Sequence, residues 1–179
     1  MPQEVRRGLR DTAASLVGSA PGVSVAAEHA LHLTLAFLGE WPEPMAGDFA
    51  QALRAACAER YPFWMRLEGI GAFPNPRAPR IVWIGVHAGA ELASLHAEVE
   101  SACAAVGYKP ERRTFRPHVT LARLKAERAA SVAAALTDGV QSVPFAADVN
   151  VRSVGLMRSE LAGTGARHTL VYAARFGGE

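Results

Sequence analysis

The stretch HLTLAFLGE, residues 32–40, returns in part as HVTLARLKA, residues 118–126. Both copies open His-x-Thr-Leu-Ala, and both alternate polar and apolar residues as a strand with one buried face does. His32, Thr34 and Ala36 share one face, and Leu33, Leu35 and Phe37 share the other. In the second copy His118, Thr120 and Ala122 stand against Val119 and Leu121. Each strand thus presents an imidazole beside a hydroxyl, with a small alanine next to them that leaves room for a ligand. The repeat points to an internal duplication, with a pseudo-twofold axis between two halves.

Outward from these copies the chain alternates helices and strands without regular β-α-β order. Val5, Leu9, Ala13 and Leu16/Val17 lie at helical spacing over residues 3–18, and Ser19–Gly22 reads as a turn. Val23–Ala26 reads as a short strand and Leu31–Leu38 as a longer one ending at Gly39. Residues 45–60 form a helix with Phe49, Leu53 and Ala56/Cys57 on one face. Phe63–Phe73 and Arg80–His87 read as paired strands joined by PNPRAP. A helix over 90–106 turns Leu92, Leu95, Val99 and Cys103 inward. Arg116–Leu124 is a strand, Lys125–Leu136 a helix ending near Asp138-Gly139, and Pro144–Met157 and Arg167–Phe176 are strands flanking LAGTGA. Hairpin-linked strands with interspersed helices favour α+β with antiparallel sheets over a doubly wound parallel fold.

Composition bounds the function classes. In 179 residues, half are apolar, a fifth are charged and the net charge is +2, as in an ordinary globular domain. No apolar run is long enough to cross a bilayer, and MPQEVRRGLRD is too charged for a signal peptide. Cys57 and Cys103 sit in Ala-rich helical stretches and suggest neither a disulfide framework nor a metal knuckle. A cytoplasmic setting is expected, with no membrane contact. Lys109, Arg112, Arg113, Arg116, Arg123, Lys125 and Arg128, against Glu111 and Glu127, form a basic window around the second motif. Such a window suits a small phosphorylated ligand or an RNA end, and equally a solvated loop.

Two His-x-Thr pairs facing one another could act on a phosphodiester. In-line displacement puts the attacking and leaving oxygens on opposite sides of phosphorus. One imidazole can take a proton from water while the other gives one to the departing alkoxide, and two threonine hydroxyls can hold the non-bridging oxygens. Imidazoles titrate near neutrality, so one pair supplies both acid and base. No metal and no cofactor are expected, since the motifs offer no carboxylate or thiolate to complete a metal site. His29 reads as part of a turn, and His87, His96 and His168 as structural or solvent-facing. Trp64 and Trp83 read as core. Phe37 and Phe115 are placed to stack on a base, with core packing favoured for both. GTG at 163–165 reads as a Gly-rich turn rather than a dinucleotide loop.

With HLTLAFLGE, RLEGIGAFPNPRAPRIVWIGV and GYKPERRTFRPHVTLARLK in view, the sequence resembles the two-histidine (2H) phosphoesterase superfamily. It is most similar to the RNA 2′,3′-cyclic phosphodiesterase branch, also called 2′-5′ RNA ligase. The resemblance implies a single bilobal domain over 1–179: duplicated antiparallel sheets, helices outside, and a central cleft between lobes. It implies hydrolysis of 2′,3′-cyclic phosphate ends of RNA, or of cyclic nucleotides, to 2′-phosphomonoesters by a monomer. It implies His32 as proton donor, His118 as proton acceptor, Thr34 and Thr120 as phosphate holders and Arg123 as added charge. Strand parity, however, puts Arg123 on the Val119/Leu121 face, so a twist or strand end is needed there. Relatives of this kind open with an apolar strand; here the chain opens Met1-Pro2-Gln3-Glu4-Val5, so that strand is expected to be absent and a neighbour left unpaired. AAEHALHLTL also replaces a Pro-Glu-Asn-Leu lead-in. Two other readings stand beside hydrolysis: ATP-independent 2′-5′ RNA ligation, and an RNA-end binding module with weak catalysis.

Overall fold

The computed structural model describes the chain except residues 19–20, 112, 140–144, 163–164 and 179. Parts of the turns expected at 19–22 and 161–166, the start of the strand expected at Pro144, and Arg112 of the basic window lie outside the described residues. The fold is α+β and divides into two compact units. The first unit comprises Met1–Thr34, Met65–His87 and Arg116–Val149, and the second comprises Leu35–Trp64, Ala88–Phe115 and Asn150–Glu179.

The first unit is built on a five-stranded sheet. Its strands are β1 (Val23–Val25), β2 (Phe63–Phe73), β3 (Ile81–His87), β4 (His118–Leu124) and β5 (Ala147–Val151), in the order β1-β4-β3-β2-β5. β1 pairs with β4, β4 with β3, and β3 with β2, all antiparallel. One sheet face is apolar because alternate residues are: Val82, Ile84 and Val86 of β3 pair across with Ala122 and Val119 of β4 and with Ala72, Ile70 and Leu67 of β2. Helix α1 (Gln3–Val17) sends Leu16 and Val17, and α4 (Ala129–Gly139) sends Val132 and Leu136, into a buried cluster with Ala72, Val82, Ala122 and Leu124. Gly69, at φ +76°, sits where the β2–β3 register shifts between Glu68 and Ile70; the left-handed backbone of that bulge suits glycine.

The second unit packs α2 (Ala46–Cys57) and α3 (Ala90–Ala105) with a two-stranded antiparallel sheet of β6 (Ser153–Ala162) and β7 (Gly165–Arg175). Phe49, Leu53 and Cys57 of α2 and Leu92, Leu95, Val99 and Cys103 of α3 are buried, as their spacing predicts. Burial pushes the Cys57 thiol up to about 11 and raises that of Cys103, so neither is poised as a nucleophile. Phe115 stacks on His96 with ring centroids 3.9 Å apart.

Three expectations are corrected. Leu31–Leu38 is not a strand: its pairing is an isolated antiparallel bridge, Leu33 to Val119, and it bends at Leu35. β1 already occupies this edge of β4 at Ala122–Leu124, so only the beginning of β4 remains to pair. The strand read over Pro144–Met157 is two strands, β5 and β6, because the chain leaves one sheet and enters the other at Arg152. Trp64 and Phe37 are not core residues; they are 65% and 67% exposed. Trp64 alternates with inward-facing Phe63 and Met65, so strand parity turns it outward.

Truncating Ile84→Ala, fully buried at the centre of the sheet, is expected to cost about 2–5 kcal/mol in urea unfolding. Trp64→Ala should stay within about 0.5–1 kcal/mol, as exposed substitutions do. A large loss at Trp64 would overturn its assignment to the surface.

Candidate active site

The second copy of the motif is β4 itself, and the first lies along its edge. Three cross-strand observations fix the relation: Val25 opposes Ala122, the Ala26 N–H donates to the Leu121 carbonyl at 2.8 Å, and Leu33 bridges Val119. Between Ala26 and Leu33 the chain loops out through a 3₁₀ turn, Glu28–Ala30, which contains His29. Arg10 of α1 pairs with Glu28 of that turn at 3.4 Å. The bridge is centred on the x residue of each His-x-Thr. In an antiparallel pair this sets His32 opposite Thr120 and Thr34 opposite His118. Val119 is fully buried and Leu33 half-buried, so their side chains define the inner face and the four motif side chains share the other. Directly opposed Cβ atoms lie ~4.5–5.5 Å apart and diagonal ones ~7–8 Å. The two histidines are thus diagonal neighbours, on the scale of a phosphoryl group held between hydrogen bonds.

Each imidazole is oriented by the same backbone device. Nδ1 of His32 is 2.7 Å from the Ala30 carbonyl oxygen, and Nδ1 of His118 is 2.6 Å from that of Arg116. A carbonyl only accepts, so Nδ1 carries the hydrogen in both rings.

The structure also resolves the parity conflict at Arg123. The β3–β4 register shifts between Val82 and Trp83: Val82 pairs with Ala122, and Trp83 with Thr120. Leu121 is therefore the extra residue of a β-bulge, and Leu121 and Ala122 both face inward, buried. Beyond the bulge the alternation is reversed. Arg123, exposed and paired with Ile81 and Ser24, emerges on the face of His118 and Thr120. All five residues singled out in the sequence, His32, Thr34, His118, Thr120 and Arg123, thus share one face of the first unit.

Sequence reading missed two neighbours of His118. Phe73 meets it edge to face, with centroids 5.1 Å apart at 83°, and Trp83 lies 6.1 Å away. Trp83, expected in the core, is instead half-buried on the motif face. Only the strand pairing, in which Trp83 opposes Thr120, could have revealed this. Farther along the same face Arg66 is committed to carboxylates, at 2.6 Å from Glu68 and 3.3 Å from Asp148; its hydrogen bond holds the Glu68 carboxyl below the ordinary range. Among the described residues no three His, Cys, Asp or Glu side chains gather as metal ligands would, and no helix is long and apolar enough to cross a membrane.

The chain is similar to known proteins in sequence and in fold. An RNA 2′,3′-cyclic phosphodiesterase of Aeropyrum pernix is 39% identical over 145 residues, covering 80% of this chain and 81% of its own. The protein of that name from Thermus thermophilus is 34% identical over all of this chain and 88% of its own. Among solved structures, TT0787 of Thermus thermophilus matches with a TM-score of 0.81 at 29% identity, covering 100% of this chain and 95% of that one. E. coli LigT complexed with 3′-AMP matches with a TM-score of 0.77 at 26% identity, covering 98% and 93%. Fold and motifs together define the class, the two-histidine phosphoesterases. The chain belongs to the 2′-5′ RNA ligase superfamily, whose family model matches residues 3–163.

Because both Nδ1 atoms face carbonyls, long-range ¹H–¹⁵N spectra above the imidazole titration range should show the Nδ1–H tautomer for His32 and His118 alike. An Nε2–H tautomer at either would contradict the orientation described.

Proposed function

We propose that the chain is a metal-independent RNA 2′,3′-cyclic phosphodiesterase, one domain acting as a monomer on 2′,3′-cyclic phosphate ends of RNA or nucleotides. The observation that carries this reading is the Leu33–Val119 bridge, which gathers both His-x-Thr pairs on one face. The relatives named above supply the substrate class. His118 Nε2 takes a proton from the attacking water as its oxygen bonds to phosphorus. The P–O3′ bond breaks on the opposite side, and O3′ takes a proton from His32 Nε2. A 2′-phosphomonoester and a 3′-hydroxyl result, and exchange with solvent restores both imidazoles. The Thr34 and Thr120 hydroxyls donate to the non-bridging oxygens, and Arg123, carried to this face by the bulge, stabilises the charge that builds there.

General acid–base catalysis contributes roughly 10²–10⁴-fold, so His118→Ala should lower kcat by at least about 10² while leaving 2′-phosphate product binding largely intact. Full activity in that variant would sink the assignment. A substrate with an activated leaving group needs little help from an acid. It should therefore restore turnover to His32→Ala but not to His118→Ala, and the reverse pattern would exchange the two roles. Activity should bell with pH and survive EDTA; inactivation by chelator restored by metal would overturn the metal-free scheme. Ligation is the same displacement with a 5′-hydroxyl end replacing water as the nucleophile, and analysis of products from cyclic-phosphate and 5′-hydroxyl ends separates the two.

A further inference from the structure

We propose that Phe73 and Trp83, seated over Gly71, are positioning residues that fix the His118 ring for proton transfer. The inference rests on the assignment of His118 as the base. The Nδ1 hydrogen bond to the Arg116 carbonyl pins one nitrogen, but a ring held at one atom can still rock about that bond. Phe73 removes this freedom: its ring stands nearly perpendicular to the imidazole, at 83° and 5.1 Å. Trp83 supports both, with its centroid 5.3 Å from Phe73 and 6.1 Å from His118. Phe73 is on β2 and His118 on β4, so this wall spans β3, where Trp83 stands.

Gly71 allows the wall to form. It is Trp83's cross-strand partner on β2, and the indole lies over it. A Cβ at Gly71 would fall 2.2 Å from Cζ2, 2.3 Å from Cη2 and 2.7 Å from Cε2 of Trp83. No adjustment of a few tenths of an ångström relieves that overlap. Any side chain at 71 must lift the indole away from β2 and so disturb its packing against Phe73 and His118. The motif thus depends on a glycine remote from it in sequence.

The test compares Phe73→Leu, Gly71→Ala, Trp83→Phe and the double variant Gly71→Ala/Trp83→Phe, with His118→Ala in parallel. Phe73→Leu and Gly71→Ala should lower kcat about 10- to 100-fold, the scale of a misplaced catalytic group, with KM for a dinucleotide 2′,3′-cyclic phosphate within about threefold. The ring-proton shift of His118 should move in both variants, a readout independent of turnover. A phenyl ring at 83 vacates the space that the new Cβ occupies, so the double variant should recover much of the Gly71→Ala loss. Unchanged kcat and ring shift in Phe73→Leu and Gly71→Ala, with His118→Ala inactive, would overturn the positioning role alone. So would a loss of thermal stability with the ring shift undisplaced. An active His118→Ala would instead overturn the functional reading beneath it.

Discussion

One backbone pairing, Leu33 against Val119, organises the site. An antiparallel bridge has a local twofold axis at its centre. Centring it on the middle residue of each His-x-Thr makes the two motifs symmetry mates. Each histidine then faces the other's threonine, and the diagonal separates the histidines by the span that in-line displacement asks of an acid and a base. The identical Nδ1-to-carbonyl bonds at Ala30 and Arg116 carry the symmetry into the rings. A register slip of one residue would turn Leu33 outward and bury His32 and Thr34, so the apolar side of the motif defends the polar side.

The Leu121 bulge performs the complementary task. A regular strand through HVTLAR would turn Arg123 to the apolar face beside Val82 and Ala72, where an unpaired guanidinium is costly. One extra residue reverses parity, keeps Leu121 and Ala122 in the core and brings the cation onto the motif face. The edge strand follows the same distortion, since Ala26 bonds to Leu121 and Ser24 still opposes Arg123.

These two devices explain what the sequence could and could not reveal. Helix faces such as Leu92-Leu95-Val99-Cys103 and strands such as Phe63–Phe73 were legible because local periodicity alone sets them. The chemical groups were legible because the motif repeats. Arg123 conflicted with simple alternation because a bulge depends on the partner strand's register, which local sequence does not encode. Leu31–Leu38 looked like a strand because its alternation is real, yet a strand also needs a partner, and β1 had taken most of the edge. Phe73 and Trp83 escaped notice for a similar reason: they reach His118 across strand pairings, two from β2 and one from β3, from positions where an aromatic residue reads as core.

The motif's symmetry cannot itself decide which imidazole would act as acid and which as base; the surrounding sheet supplies the support for the proposed assignment. His118 belongs to a strand bonded on both sides, is half-buried, and is walled by Phe73 and Trp83. His32 is exposed and follows a 3₁₀ turn on the sheet's edge, tied to β4 by the Leu33 bridge. The two proton transfers make unequal demands. The acid meets an oxygen already tethered to bound substrate, whereas the base must orient a water that arrives unattached. Greater fixation helps most where the partner brings least order of its own. In the proposed mechanism the ring walled by Phe73 and Trp83 therefore suits the base.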